Sequence, residues 1–147
     1  LASLAALGCG RLLPEPKPRT GPLLETEKPF VGKWMGFRGA YRWEILREED
    51  RSFEIAFSEP DQRGSQRILK NYAVGTWWVD GDVYRYRWDR WWGDEGNFAG
   101  VFTEKIATVE AERVVTLSPR EKIPENIEVR VEEFEMEAWT LKPDDLE

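Results

Sequence analysis

Apolar and polar residues alternate with a period of two along most of the chain from Val31 onward, and no stretch keeps the three-to-four spacing of an amphipathic helix. Tyr41, Trp43 and Ile45 alternate with Arg42 and Glu44. A turn is expected around Glu49 and Asp50, and Phe53, Ile55 and Phe57 then alternate with Glu54 and Ala56, which predicts a hairpin. A loop at 60–64 leads into a long strand over 66–79, interrupted at Gly75. Asp80 and Gly81 supply the positive backbone angles of a tight turn, and the chain returns over 82–88. Further strands are predicted over 97–110, 113–118 and 127–141, with a turn at Ala111 and Glu112. In the last of them the apolar phase slips from Ile127, Val129 and Val131 to Phe134, Met136 and Ala138, as one extra residue in a β-bulge at Glu132 and Glu133 would produce. With the strand that starts at Val31 the count is about eight. A meander of short-linked strands has two open edges unless it closes, so the expected fold is all-β, an antiparallel up-and-down barrel.

The composition can support such a core. Eight Trp, seven Phe and four Tyr supply large rings to bury, and a single cysteine leaves no disulfide to help them. That cysteine follows an apolar run, Leu-Ala-Ser-Leu-Ala-Ala-Leu-Gly at residues 1–8, and the whole resembles the processing site of a bacterial lipoprotein, with small Gly8 before Cys9. The usual box has its leucine one place earlier than Leu7. The resemblance implies a signal remnant over 1–8 and a thioether-linked lipid on Cys9. Residues after it, with Pro14, Pro16, Pro18 and Pro22, are too poor in apolar groups to form a core, so 9–28 is expected to be a disordered tether and 29–147 the barrel domain. No later stretch approaches the roughly twenty apolar residues of a membrane-spanning helix.

Charge removes some functions. The net charge of −7 lies wholly at the end: residues 121–147 hold ten acids and three bases, and the rest balances, so there is no basic footprint for nucleic acid. The acidic last strand, with Glu128, Glu132, Glu133, Glu135 and Glu137, is expected to present a solvated face. The chain has no histidine, which removes the commonest general base and the commonest metal ligand. A lipidated Cys9 is not a nucleophile. Carboxylate chemistry at Asp89, Asp94 and Glu95 is read as solvated loop charge, and a calcium loop with Asn97 fits no ordered ligand scheme. The expectation is a noncatalytic protein without metal or cofactor.

Val31-Gly32-Lys33-Trp34 resembles the Gly-x-Trp signature with which lipocalins begin, and Gly75-Thr76-Trp77, Asp80-Gly81 and Tyr84 match a second Gly-x-Trp followed by a turn and a Tyr-bearing strand, as in small lipocalin-like envelope lipoproteins. The resemblance covers about residues 30–90. The Thr-Asp-Tyr element of true lipocalins is missing, and no arginine is assigned to the family's late position. The resemblance implies a barrel that binds a small apolar or amphipathic molecule, with Trp34, Trp77, Tyr84 and Tyr86 at its floor or lining and Arg85 or Arg87 as the polar contact. Alternation sends Tyr84, Tyr86 and Trp88 to one face and Arg85, Arg87 and Asp89 to the other. Trp91 and Trp92 are expected in a loop beyond that strand, where an interaction surface would lie. The alternative is an envelope scaffold with a filled core that binds another protein through a strand edge or through the Trp91-Trp92 loop. Localisation follows the anchor: the cell envelope, and the periplasmic face of the outer membrane if there are two membranes, because Gly10 rather than Asp follows Cys9.

Overall fold

The structure, a computed structural model, describes residues 14–60, 63–64, 67–93, 98–120 and 124–135. Cys9, the signal remnant, Asp94, Glu95, Asn97 and the end of the chain from Met136 lie outside the described residues. Eight strands follow in chain order: β1 (Gly32–Arg38), β2 (Tyr41–Arg47), β3 (Ser52–Pro60), β4 (Arg67–Asp80), β5 (Val83–Gly93), β6 (Val101–Val109), β7 (Arg113–Leu117) and β8 (Asn126–Arg130). Each pairs antiparallel with the next, and β8 pairs back on β1 through Trp34↔Arg130, Met35↔Val129, Gly36↔Glu128 and Phe37↔Ile127. The predicted up-and-down barrel is therefore closed, its first and last strands paired rather than left as edges.

Period-two alternation sorts the side chains. Trp34, Trp43, Ile45, Phe53, Ile55, Ala73, Trp77, Tyr84 and Trp88 form one buried cluster inside. Three register shifts reset this alternation, between Phe57 and Ser58, Val74 and Gly75, and Ile106 and Thr108. The second matters most. Gly75 pairs Trp88 while Val74 pairs Arg90, so Asp89 is the extra residue and the inward phase of β5 slips by one. Gly75 also has no room for a side chain, since a Cβ there would lie 2.7 Å from the Phe53 ring.

One end of the barrel is plugged. A single 3-10 turn, Lys28–Phe30, carries Phe30 under the barrel, where its ring stacks 5.5 Å from Tyr84 and lies 6.2 Å from Trp77. Trp34 Nε1 donates to the Phe30 carbonyl at 2.9 Å. The Arg130 guanidinium lies 4.3 Å above the Trp34 ring and donates to the carbonyls of Val31, Pro29 and Ala111. Gly32 makes that approach possible: its φ is +120°, and a Cβ would stand 2.5 Å from Arg130 Nη1.

Three sequence expectations change here. Residues 14–28, expected to hang free as a tether, lie against the barrel. Glu27 is fully buried and paired with Arg51 at 2.7 Å, Arg51 also donates to the Gly21 and Pro22 carbonyls, and the Val79 N–H donates to Glu27. Too little apolar surface was the reason to expect disorder, but charge-assisted bonds to a preformed turn hold this segment instead. Second, the final strand ends at Arg130, and Glu132 and Glu133 form a bend rather than a bulge. The chain then crosses the outside of β1 and β2: Lys33 Nζ donates to the Glu132 carbonyl, and Glu135 N donates to Glu44 at 2.7 Å. Third, β8 is turned over relative to its apolar pattern. Asn126 and Glu128 face inward and are buried, while Ile127 and Val129 sit outside, beside buried Met35 and Val115.

Because Arg51 is buried at the plugged end, Arg51→Met would leave the Glu27 carboxylate without its partner. The expected cost is about 3–5 kcal/mol in a denaturant titration, with faster proteolysis within 14–28. A loss below about 1 kcal/mol would show that the pair is solvated.

Candidate functional site

Opposite the plugged end the barrel opens. A half-open cavity of about 710 Å³ lies at that end, with Phe57, Tyr86, Trp88, Phe98 and Phe102 as its aromatic wall and Arg38, Lys70, Glu59, Glu104 and Arg120 among its charged groups. Beneath it is a second space of about 70 Å³, and Arg38, Phe57, Tyr86, Trp88 and Glu104 line both. Below these the interior is filled: Trp34, Trp77, Phe30 and Phe53 are at most 2% exposed. The wall rings touch one another. Trp88 lies 4.3 Å from Phe98, and Tyr86 stacks 5.2 Å from Phe102.

The floor of the smaller space is ionic. Arg47 is 2% exposed and meets Glu128 at 2.8 Å, with a second bond of 3.0 Å to the other carboxylate oxygen. Trp43 Nε1 donates to Glu128 at 2.8 Å, and Arg47 Nε donates to the Tyr84 hydroxyl at 3.0 Å. Burial works against the charge of Arg47, but Glu128 and Tyr84 outweigh it and hold the guanidinium protonated. Burial pushes the Tyr84 phenol up, so it stays neutral. Beside this network the Thr116 hydroxyl donates to Glu104 at 2.6 Å, and Tyr86 and Asn126 also bond to that carboxyl. Withdrawal from water raises Glu104 above the usual carboxylate range, and the nearby Glu128 charge adds to this. Tyr86 is raised well above its ordinary value, first by burial and then by Glu104. These are the properties of a polar pocket at the bottom of an aromatic cup.

The residues singled out from the sequence divide. Tyr84 and Tyr86 line the interior as expected, Tyr86 in both spaces and Tyr84 in the smaller one. Trp34 and Trp77 are floor, fully buried and away from both spaces. Arg85 and Arg87 are on the outer face. Arg85 donates to Thr103 at 2.9 Å and faces Asp80, and Arg87 pairs with Asp89 at 2.7 Å, so neither reaches the cavity. Trp91 and Trp92 lie within β5 rather than in a loop, because the strand continues past the Asp89 bulge. Trp91 leans against the inner cluster and meets Phe98 edge-on, whereas Trp92 packs outside on Tyr72 at 5.5 Å with Arg90 over it. Asp89 is on the outer face and accepts from Thr76 and Arg87.

Among the described residues, the cations that line the smaller space are Arg38 and Arg47. Their signal was present in the sequence: Arg38 shares the phase of Trp34 and Gly36, and Arg47 that of Trp43 and Ile45. Glu104 likewise shares the phase of Phe102 and Ile106. Glu128 had no such signal, since the apolar residues of its strand point away. Comparison of the sequence with protein-family models and with curated proteins finds no match.

The raised Glu104 carboxyl gives a pH test. A group whose folded value is raised favours folding most below its unfolded value, near 4.5, and that contribution is lost as pH rises through the folded value. Glu104→Gln is therefore expected to gain stability relative to the parent as pH goes from 4 toward 8 in paired urea titrations. A difference that does not change with pH would mean Glu104 ionises freely in the fold.

Proposed function

We propose that this chain is a lipid-anchored protein of the cell envelope whose lipocalin-like barrel holds a small apolar or amphipathic molecule without transforming it. The observation that carries the reading is the half-open cavity of about 710 Å³, within the range of small-molecule sites and walled largely by aromatic rings with a few convergent polar groups. Membership of the Gly-x-Trp barrels is supported by what surrounds the motif: Gly32 admits Arg130, which caps the Trp34 ring, and a 3-10 turn closes the end beneath. On this reading Arg130 is taken as the counterpart of the family's late arginine.

The anchor at Cys9 is part of the proposal, as are the outer-membrane address and the tether that leads from it. One contact bears on how such an anchor would present the barrel. Glu15 accepts from the Val101 N–H at 2.7 Å, and Val101 is on the rim of the open end. A lipid on Cys9, six residues earlier, would hold the opening toward the membrane, where apolar molecules collect. The scaffold reading has less to use, because Trp92 is covered by Tyr72 and the first and last strands of the barrel pair with each other.

Two measurements test this. N-phenyl-1-naphthylamine, a neutral apolar dye, is expected to bind one per barrel with a dissociation constant between about 1 µM and a few hundred µM, and Ser118→Trp, which fills the opening, should weaken it at least tenfold. Failure of the dye and of related apolar probes to bind removes the carrier reading. Separately, Cys9→Ser should move the protein from the membrane pellet to the soluble fraction, and unchanged fractionation removes the anchor.

A further inference from the structure

Two guanidinium and two carboxyl side chains line the smaller space: Arg38, Arg47, Glu104 and Glu128. Arg47 and Glu128 neutralise each other. Glu104 already accepts from Thr116 and is bonded by Tyr86 and Asn126, and its burial favours the uncharged acid. Arg38 is different. It stands where the two spaces join, and it has no hydrogen-bond or ion-pair partner among the described residues. Its field is felt by the neighbouring Tyr86. The Trp88 indole N–H, on a ring that lines both spaces, is buried and also without a partner. A guanidinium fork that faces the space, with the local carboxylates already engaged, makes a site for an oxyanion. Of the other cations at the opening, Lys70 faces Glu59 at 3.8 Å, and Arg120 lines the same cavity.

The depth of the space limits the rest of the ligand. Tyr86, Trp88 and Phe57 meet the filled lower half, where Trp34 and Trp77 leave no passage for an extended chain. We propose that the barrel takes a compact anionic amphiphile, its carboxylate or sulfonate against Arg38 and its short or ring-shaped apolar body on Phe57, Trp88, Phe98 and Phe102. This rests on the carrier reading and narrows it.

The matched pair N-phenyl-1-naphthylamine and 8-anilino-1-naphthalenesulfonate separates the two, because the dyes share a skeleton and differ by the sulfonate. On the full chain the sulfonate is expected to bind about ten- to a hundredfold more tightly at low salt, an advantage that shrinks as sodium chloride is added. Arg38→Gln should remove the advantage, read as the ratio of the two dyes on that variant, Arg38→Lys should keep part of it, and Arg85→Gln on the outer face should keep all of it and leave the neutral dye within about twofold. Equal affinity for the two dyes on the parent chain, or an advantage that survives Arg38→Gln, overturns the anion site while the carrier reading stands. Should Arg38→Gln lose both dyes, the salt-dependent ranking on the parent chain decides: anion above neutral supports the proposal and neutral above anion ends it. Loss of both dyes on the parent chain sinks the carrier reading itself.

Discussion

A meander of eight strands has two unpaired edges unless its first and last strands meet, and here β1 and β8 meet at a seam held by Arg130. The guanidinium covers the Trp34 ring and bonds carbonyls on both sides of the seam, from Pro29 and Val31 before β1 and from Ala111 between β6 and β7. A cation over an indole that is shut away from water is worth about 2 kcal/mol, and each charge-assisted bond adds to it. The turn that carries Phe30, the close approach at Gly32 and the plugged end all depend on this one side chain being where it is. A closed end in turn means that any molecule enters from the other.

The interior is graded along the barrel axis. At the plugged end it is aromatic and full, in the middle it is an ionic network around Arg47 and Glu128, and at the open end it is an aromatic cup. Burying a charge pair seldom stabilises a fold relative to an apolar core of the same volume. The pair here is well bonded, with Trp43 and Tyr84 completing it, and its effect is to set the polarity of the pocket above. Glu104 is drawn toward its neutral form by the same enclosure, and among the described residues Arg38 has no ion-pair partner in the cup.

Compensation by distant chain segments recurs on the outside. Glu44 is fully buried on the outer face of β2 because the chain beyond β8 comes back across it, and Glu135 N bonds its carboxylate. Glu27 is fully buried at the plugged end; burial alone would raise its pKa, but Arg51 and the N–H groups of Leu24 and Val79 hold it below the usual carboxylate range. In both places an acid that reads as surface charge in the sequence is an internal bonding post.

Strand number, meander order and the inward run of Trp34, Trp43, Phe53, Trp77, Tyr84 and Trp88 were legible in the sequence, because the period of a strand forces neighbouring residues to opposite faces whatever the fold around them. Arg38 and Arg47 are legible by the same rule, being in phase with the inward rings, whereas Arg85 and Arg87 are out of phase with them. What alternation could not settle was which face of β8 turns inward, since both of its faces are covered and apolarity no longer marks the inside. Nor could it place residues 14–28, held by bonds to Arg51 and Val79 more than twenty positions away, or show that β5 runs on through Trp91 and Trp92 past a bulge. Local pattern determines how a strand divides its side chains; only the closed sheet decides which half meets the cavity, because that depends on partners that are neighbours in space and not in the chain.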